Sequence, residues 1–288
     1  ASLQPRQTAG RAARRAAVLS MQRLPIPVLL AIALASCGKV PPVALHPADA
    51  PPERLSEWGV VLADGQAFEF NAGVVPYGLN TPLFSDYALK LRSVWLPEGT
   101  AALYREGREL EFPVGTILSK TFHYERAGAP HGDPGNELLE VVRADRESLP
   151  DDRGQLDLDR HVLIETRLLV RYEDGWLALP YVWNDSQDEA YLEPAGDERR
   201  VRFSGDDEPF VYVVPDVNQC GGCHKPDHTA AEMRPLGPRA WQLNRDYRYA
   251  AETRNQLEHW SASGILDGMP ASVPRGAGWV LPGDATLA

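Results

Sequence analysis

The sequence predicts an α+β chain in which a mainly antiparallel β-region over 55–214, a sandwich or small barrel, precedes a small α-helical region over 215–275. Three observations carry this. The chain holds 24 Gly and 25 Pro in 288 residues, a content that favours many turns and short strands over long helices. Between His161 and Asn184, Val162, Ile164, Thr166, Leu168, Val170 and Tyr172 alternate with partly polar neighbours, the period-two pattern of a half-buried strand. After Pro215 β-branched residues thin out, and apolar residues fall at helical spacing.

Taken in order, Val60 to Phe70 reads as a hairpin around Ala63-Asp64-Gly65. Leu110 to Tyr124 reads as a strand, and Pro113 assigns it a starting or edge position. Between Glu125 and Leu158 Gly, Pro, Asp and Arg dominate, so a long loop is expected in which only Leu138 to Val142 forms a strand. His161 to Asn184 is a hairpin turning at Glu173-Asp174-Gly175. Trp95, Trp176 and Trp183 are expected in the core. Tyr247 to Ser263 places Tyr249, Ala250, Leu257 and Trp260 on one helical face, ended by Gly264. Residues 276–288 read as a loose tail, and no internal repeat is evident.

The first 36 residues read as an upstream extension and a signal peptide. Met21 and Arg23 precede the apolar run Val28 to Leu34, then small Ala35 and Ser36 lead to Cys37. The run is too short to span a bilayer. Leu34-Ala35-Ser36-Cys37-Gly38 resembles the lipobox of bacterial lipoproteins, which implies lipidation of Cys37 and a protein held on a membrane. The alternative is an ordinary signal peptide with a coincidental cysteine. Arg14-Arg15 only faintly echoes a twin-arginine signal. Residues 37–54, rich in proline, read as an extended tether with His46 a bystander. Gly38 and Lys39 lack the aspartate that marks inner-membrane retention in enteric bacteria, which favours the outer membrane.

Net charge is −11; residues 1–37 carry five Arg and no acid, so the 29 basic residues fall to 24 against 40 acidic, a balance of −16. That surface repels nucleic acid and steers toward a basic partner. Three cysteines are too few for a disulfide framework.

Cys220-Gly221-Gly222-Cys223-His224 is the string that attaches haem covalently. Two thiols on one side of the ring bond its vinyl groups, and the next residue supplies an imidazole to the iron. One covalent haem c is therefore expected on Cys220, Cys223 and His224. A zinc site drawing on Cys220, Cys223, His228 and His259 competes, although its second half lacks the usual spacing. A dithiol redox centre is weaker, with no βαβ unit around it. Met269 follows the expected helix in Gly268-Met269-Pro270-Ala271, which resembles the distal loop of monohaem cytochromes c and makes Met269 the leading sixth ligand. Met233, His228, His259 and an open position stay open as alternatives.

Longer segments carry a wider resemblance. Pro76-Tyr77-Gly78-Leu79-Asn80-Thr81-Pro82-Leu83-Phe84-Ser85-Asp86-Tyr87, Phe112 to Thr116, Glu165 to Leu169 and Tyr181-Val182-Trp183-Asn184 are among them. So are Gln219 to His224, Leu243 to Tyr247 and Asn255-Gln256-Leu257. Across about 55–266 the chain resembles a family of bacterial exported c-type cytochromes of undefined function, some of them dihaem or fused to sugar-dehydrogenase-like modules. The resemblance implies export and haem; with one attachment motif, this chain departs from the dihaem members. The expectation is a lipid-anchored, periplasm-facing monohaem cytochrome that transfers electrons, with a periplasmic dehydrogenase as a candidate partner. A haem enzyme or gas sensor with an open distal site is an alternative. So is a ligand-binding β-domain in which haem is structural.

Overall fold

The computed structural model describes residues 40–128, 138–144, 154–225 and 233–276. Strand makes up 39% and helix 11%, which settles the β-rich character. A 3-10 turn at Leu55–Trp58 leads into β1 (Val61–Ala63), β2 (Ala67–Phe70) and β3 (Val75–Tyr77). Next come β4 (Leu89–Trp95), the short β5 (Ala102–Leu103), β6 (Ile117–Arg126), β7 (Leu138–Val142) and β8 (Gln155–Asp157). The long hairpin β9 (His161–Tyr172) and β10 (Gly175–Trp183) precedes β11 (Ala190–Leu192), β12 (Asp197–Phe203) and β13 (Phe210–Val214). Helices α1 (Val217–His224) and α2 (Ala240–Leu243) follow, then β14 (Asp246–Arg248), β15 (Thr253–Asn255), α3 (Gln256–Ala262) and β16 (Leu266–Asp267). No helix among the described residues is long and apolar enough to cross a membrane.

The main sheet runs β11-β10-β9-β6-β7-β12-β13, with β4 on β6 and β3 on β4. Strand β6 is its hub: Ile117–His123 pair with β4, Ile117–Glu125 with β9, and Glu125 and Arg126 with β7. Its pairings are antiparallel apart from β7 with β12. A small sheet, β1-β2-β8, packs on one face of the main sheet. Because strand side chains alternate, Leu91, Ile117, Leu168, Val170, Leu179 and Tyr181 share that face. They enclose a core with Trp58, Phe68, Leu156 and Leu158.

The opposite face carries two further apolar clusters. Near one end Val94 and Leu118 meet Leu243, Leu257, Trp260 and Leu266. Near the other Phe122, Tyr124, Val162, Ile164 and Val182 meet Val201, Phe203, Tyr212 and Val214 of β12 and β13. The C-terminal elements thus share a core with the β-region, and β16 pairs in parallel with β5.

Several expectations need correction. Residues 40–54 are laid against the β-region and are not a free tether. The Asn71 side-chain amide donates to the Pro41 carbonyl at 2.7 Å, Tyr172 Oη to His46 O at 2.7 Å, and Tyr181 Oη to Pro52 O at 2.9 Å. A proline-rich run cannot build its own core, yet its carbonyls accept from one. His46, outside any site, has a packing role: its ring packs edge-on to Trp58 at 5.0 Å, and its Nε2 bonds the Glu57 carbonyl. The strand expected from Leu110 begins at Ile117. Pro113 closes a turn, accepting from the Thr116 N–H and Oγ1, and Gly115 sits at φ 89°. The loop expected before Leu158 contains β8. The helix expected from Tyr247 starts at Gln256, because Asp246–Arg248 pair with Thr253–Asn255 as a small hairpin and the Asn255 side chain caps the helix at Leu257 N. Cys37 and residues 277–288 lie outside the described residues.

Candidate functional site

Helix α1 begins where β13 ends. Asp216 caps it, accepting from Asn218 N at 2.7 Å and Gln219 N at 2.8 Å, while Gln219 Oε1 accepts from Asp216 N–H at 3.0 Å. This reciprocal box satisfies donors that a helix start leaves open. Eight residues are too few for a stable isolated helix, so α1 depends on its packing against β10. The turn before it is tight. A Cβ on Gly196, at φ 76°, would come 2.4 Å from the Val214 carbonyl oxygen and 3.0 Å from Asp216 N.

Cys220, Cys223 and His224 stand at i, i+3 and i+4, one face of the helix. Both cysteines are free thiols, Cys220 buried and Cys223 exposed. Burial pushes the Cys220 thiol up, opposed by Arg167 and reinforced by Glu165 and Asp216. A side chain added at Gly222 would meet nothing within 4 Å, so no protein neighbour dictates a glycine there.

His224 Nδ1 lies 2.8 Å from the Arg234 carbonyl oxygen. A carbonyl only accepts, so Nδ1 carries the proton and Nε2 keeps its lone pair, the tautomer in which a histidine ligates a metal. Burial lowers the affinity of the ring for a second proton. The Arg234 carbonyl opposes this, and the charges of Lys120 and Arg167 add to it. A neutral imidazole and two thiols on one helical face form a donor set that fits covalent haem.

Beneath α1 the main sheet is charged. Arg92, Lys120 and Arg167 are direct register partners on β4, β6 and β9. Phe122 lies among them, with Lys120 Nζ 5.1 Å and the Arg167 guanidinium 4.5 Å from its ring centre. Glu165 is fully buried. It accepts from Arg167 Nε and a terminal guanidinium nitrogen at 2.6 and 2.5 Å, and from Tyr212 Oη at 2.7 Å. Burial of the Glu165 carboxylate is tolerated because both its oxygens accept hydrogen bonds and its partner charge is adjacent.

The remaining candidates lie in other surroundings. Met269 is partly buried against the cluster around Trp260. His259 stacks on Tyr249 with ring centres 3.7 Å apart and has Glu252 at 3.9 Å, a packing role. Met233 directly precedes the residue that bonds His224. His228 lies outside the described residues. Among the described residues no three His, Cys, Asp or Glu side chains converge as a metal site. Lys120, Glu165, Arg167 and Tyr212 were not singled out as site residues from the sequence. The available signal was a face of β9 that turns from apolar to charged at Glu165 and Arg167.

No protein-family model, curated protein or solved structure matches this chain.

Proposed function

We propose that the chain is a monohaem c-type cytochrome that carries single electrons on the periplasmic side of a bacterial envelope. The observation that supports it most is His224. Its Nδ1 proton is held by the Arg234 carbonyl, and its Nε2 is left for iron, on the same helical face as Cys220 and Cys223. When bound, the haem supplies the one-electron couple between Fe(III) and Fe(II). The chain's own residues do the rest. Cys220 and Cys223 fix the ring covalently, the Asp216 box holds α1, and the Arg234 carbonyl fixes the imidazole tautomer.

Met269, in Gly268-Met269-Pro270-Ala271, would be the second residue to hold the iron, on the strength of that segment; it packs against the cluster around Trp260. Met233 adjoins Arg234, whose carbonyl accepts from Nδ1–H on the ring edge away from Nε2, so Met233 is the weaker candidate to hold the iron with His224. The resemblance to exported c-type cytochromes and the lipobox-like segment ending at Cys37 support the envelope address and a lipid anchor. The acidic balance of the mature chain suits a basic docking face on a redox partner, for which a periplasmic dehydrogenase is our candidate.

The test is expression of the full chain with haem-maturation machinery, followed by spectra of both oxidation states. Colour that survives denaturation, together with a far-red methionine band lost in Met269→Ala, is the expected result. Covalent haem that lacks this band and binds carbon monoxide on reduction would replace the carrier by a sensor or enzyme. A colourless protein would end the haem reading.

A further inference from the structure

Three cations stand side by side where α1 faces the sheet. Arg92 is the register partner of Lys120, and Lys120 of Arg167, so all three project from the same face of adjacent strands. Lys90 follows two residues before Arg92 on that face, its Nζ 6.0 Å from the centre of the Phe122 ring. Like charges set directly opposite across strands are destabilising, so an anion beside Lys120 would relieve the row. Glu165 is committed: both its oxygens hold Arg167, and one also takes Tyr212. The Lys120 ammonium has no hydrogen-bond or ion-pair acceptor among the described residues and lies over the Phe122 ring, 5.1 Å from its centre. Burial first, and then the surrounding cations, push it down to about 7.

The row also looks toward the attachment helix. Arg167 is felt at Cys220, and Lys120 and Arg167 are felt at His224. Two strand spacings, about 10 Å, separate Arg167 from Arg92, comparable with the breadth of a porphyrin. Haem has its vinyl groups on one side and two carboxylates on the other.

We propose that Lys120, flanked by Arg92, is the receptor for the carboxylates of the haem held at Cys220 and Cys223. The inference rests on the haem reading above. The β-region then acts as the counter-charge wall of the cofactor site, and its strand register sets the potential of the iron. Arg167 stays with Glu165 and orients the row without binding the cofactor.

The experiment compares full-length wild type, Lys120→Met, Lys120→Arg and, as a solvated surface-charge control, exposed Arg108→Met. Midpoint potentials and the propionate bending bands in resonance Raman spectra are recorded. A cation roughly 12 Å away at an effective dielectric of about 20 changes the Fe(III)/Fe(II) ratio roughly tenfold, about 59 mV for one electron. Lys120→Met should lower the potential on that scale and move a propionate band. Lys120→Arg should restore both, and Arg108→Met should move neither. A potential drop with unmoved propionate bands would overturn the contact and leave only a through-space charge effect. Covalent haem in wild type with Lys120→Met matching Arg108→Met would overturn this inference alone, whereas wild type without covalent haem would end both readings.

Discussion

His224 and Arg234 hold each other at both ends: imidazole Nδ1 donates to the Arg234 carbonyl at 2.8 Å, and the Arg234 N–H donates to the His224 carbonyl at 2.6 Å. Both contacts at residue 234 are backbone atoms, so the arginine side chain is dispensable to them. Arg234→Ala should leave haem content unchanged. Arg234→Pro removes the N–H, and the backbone at 234 loses that bond to the His224 carbonyl. Its covalent haem per protein should fall clearly below that of Arg234→Ala; equal yields would show that the reciprocal bond does not hold the ligand.

The buried Glu165 group makes a stability prediction. Tyr212→Phe leaves a buried carboxylate oxygen with one donor fewer and should cost about 1–3 kcal/mol. Glu165→Ala strips Arg167 of its counter-charge and should cost more, roughly 3–5 kcal/mol. Urea unfolding reads both. Replacing Tyr212 without loss of stability would mean that its hydroxyl is not needed to satisfy Glu165.

How far the sequence discloses such features depends on their range. The β1–β2 and β9–β10 hairpins are legible because alternation and turn residues are local, and Gly175 pairs with Tyr172 one position earlier than the expected turn. Cys220, Cys223 and His224 are legible because their chemistry fits in five residues. The strand start at Ile117 and the hairpin at Asp246–Asn255 depend on partners that propensity cannot see. The same holds for Glu165 with Tyr212, 47 residues apart. Residues 40–54 misled for a physical reason: composition reports that a segment cannot form a core, and says nothing of whether its carbonyls meet donors from an existing one.

Gly196 separates two costs of a side chain. Its φ of 76° is in the left-handed region, and a Cβ there would also strike the Val214 carbonyl. Gly205 has φ 90°, with nothing within 4 Å. Gly205→Ala should therefore cost about 1 kcal/mol from backbone strain alone, and Gly196→Ala distinctly more. Because the clash falls on the Val214–Asp216 segment that launches α1, Gly196→Ala should also lower the yield of covalent haem. Equal stability of the two variants in urea would remove Gly196 from any role in setting the helix.

Lys120 gives the haem-free chain a pH signature. Its ammonium is pushed down to about 7 in the folded state from an ordinary 10.5, first by burial and then by Arg92, Arg167 and Lys90. Below about 7 both states carry the proton, and the penalty for the buried charge is fully present. Between about 7 and 10.5 the unfolded chain binds a proton that the folded chain does not, so stability rises with pH; above 10.5 neither binds it. Lys120→Met abolishes this term and keeps a similar volume. The buried tyrosines contribute alike to both chains and cancel in the difference. The variant should be the more stable chain at pH 6, with its advantage shrinking as pH approaches 10. A difference curve that stays flat across that range would show that Lys120 remains a normal, hydrated lysine.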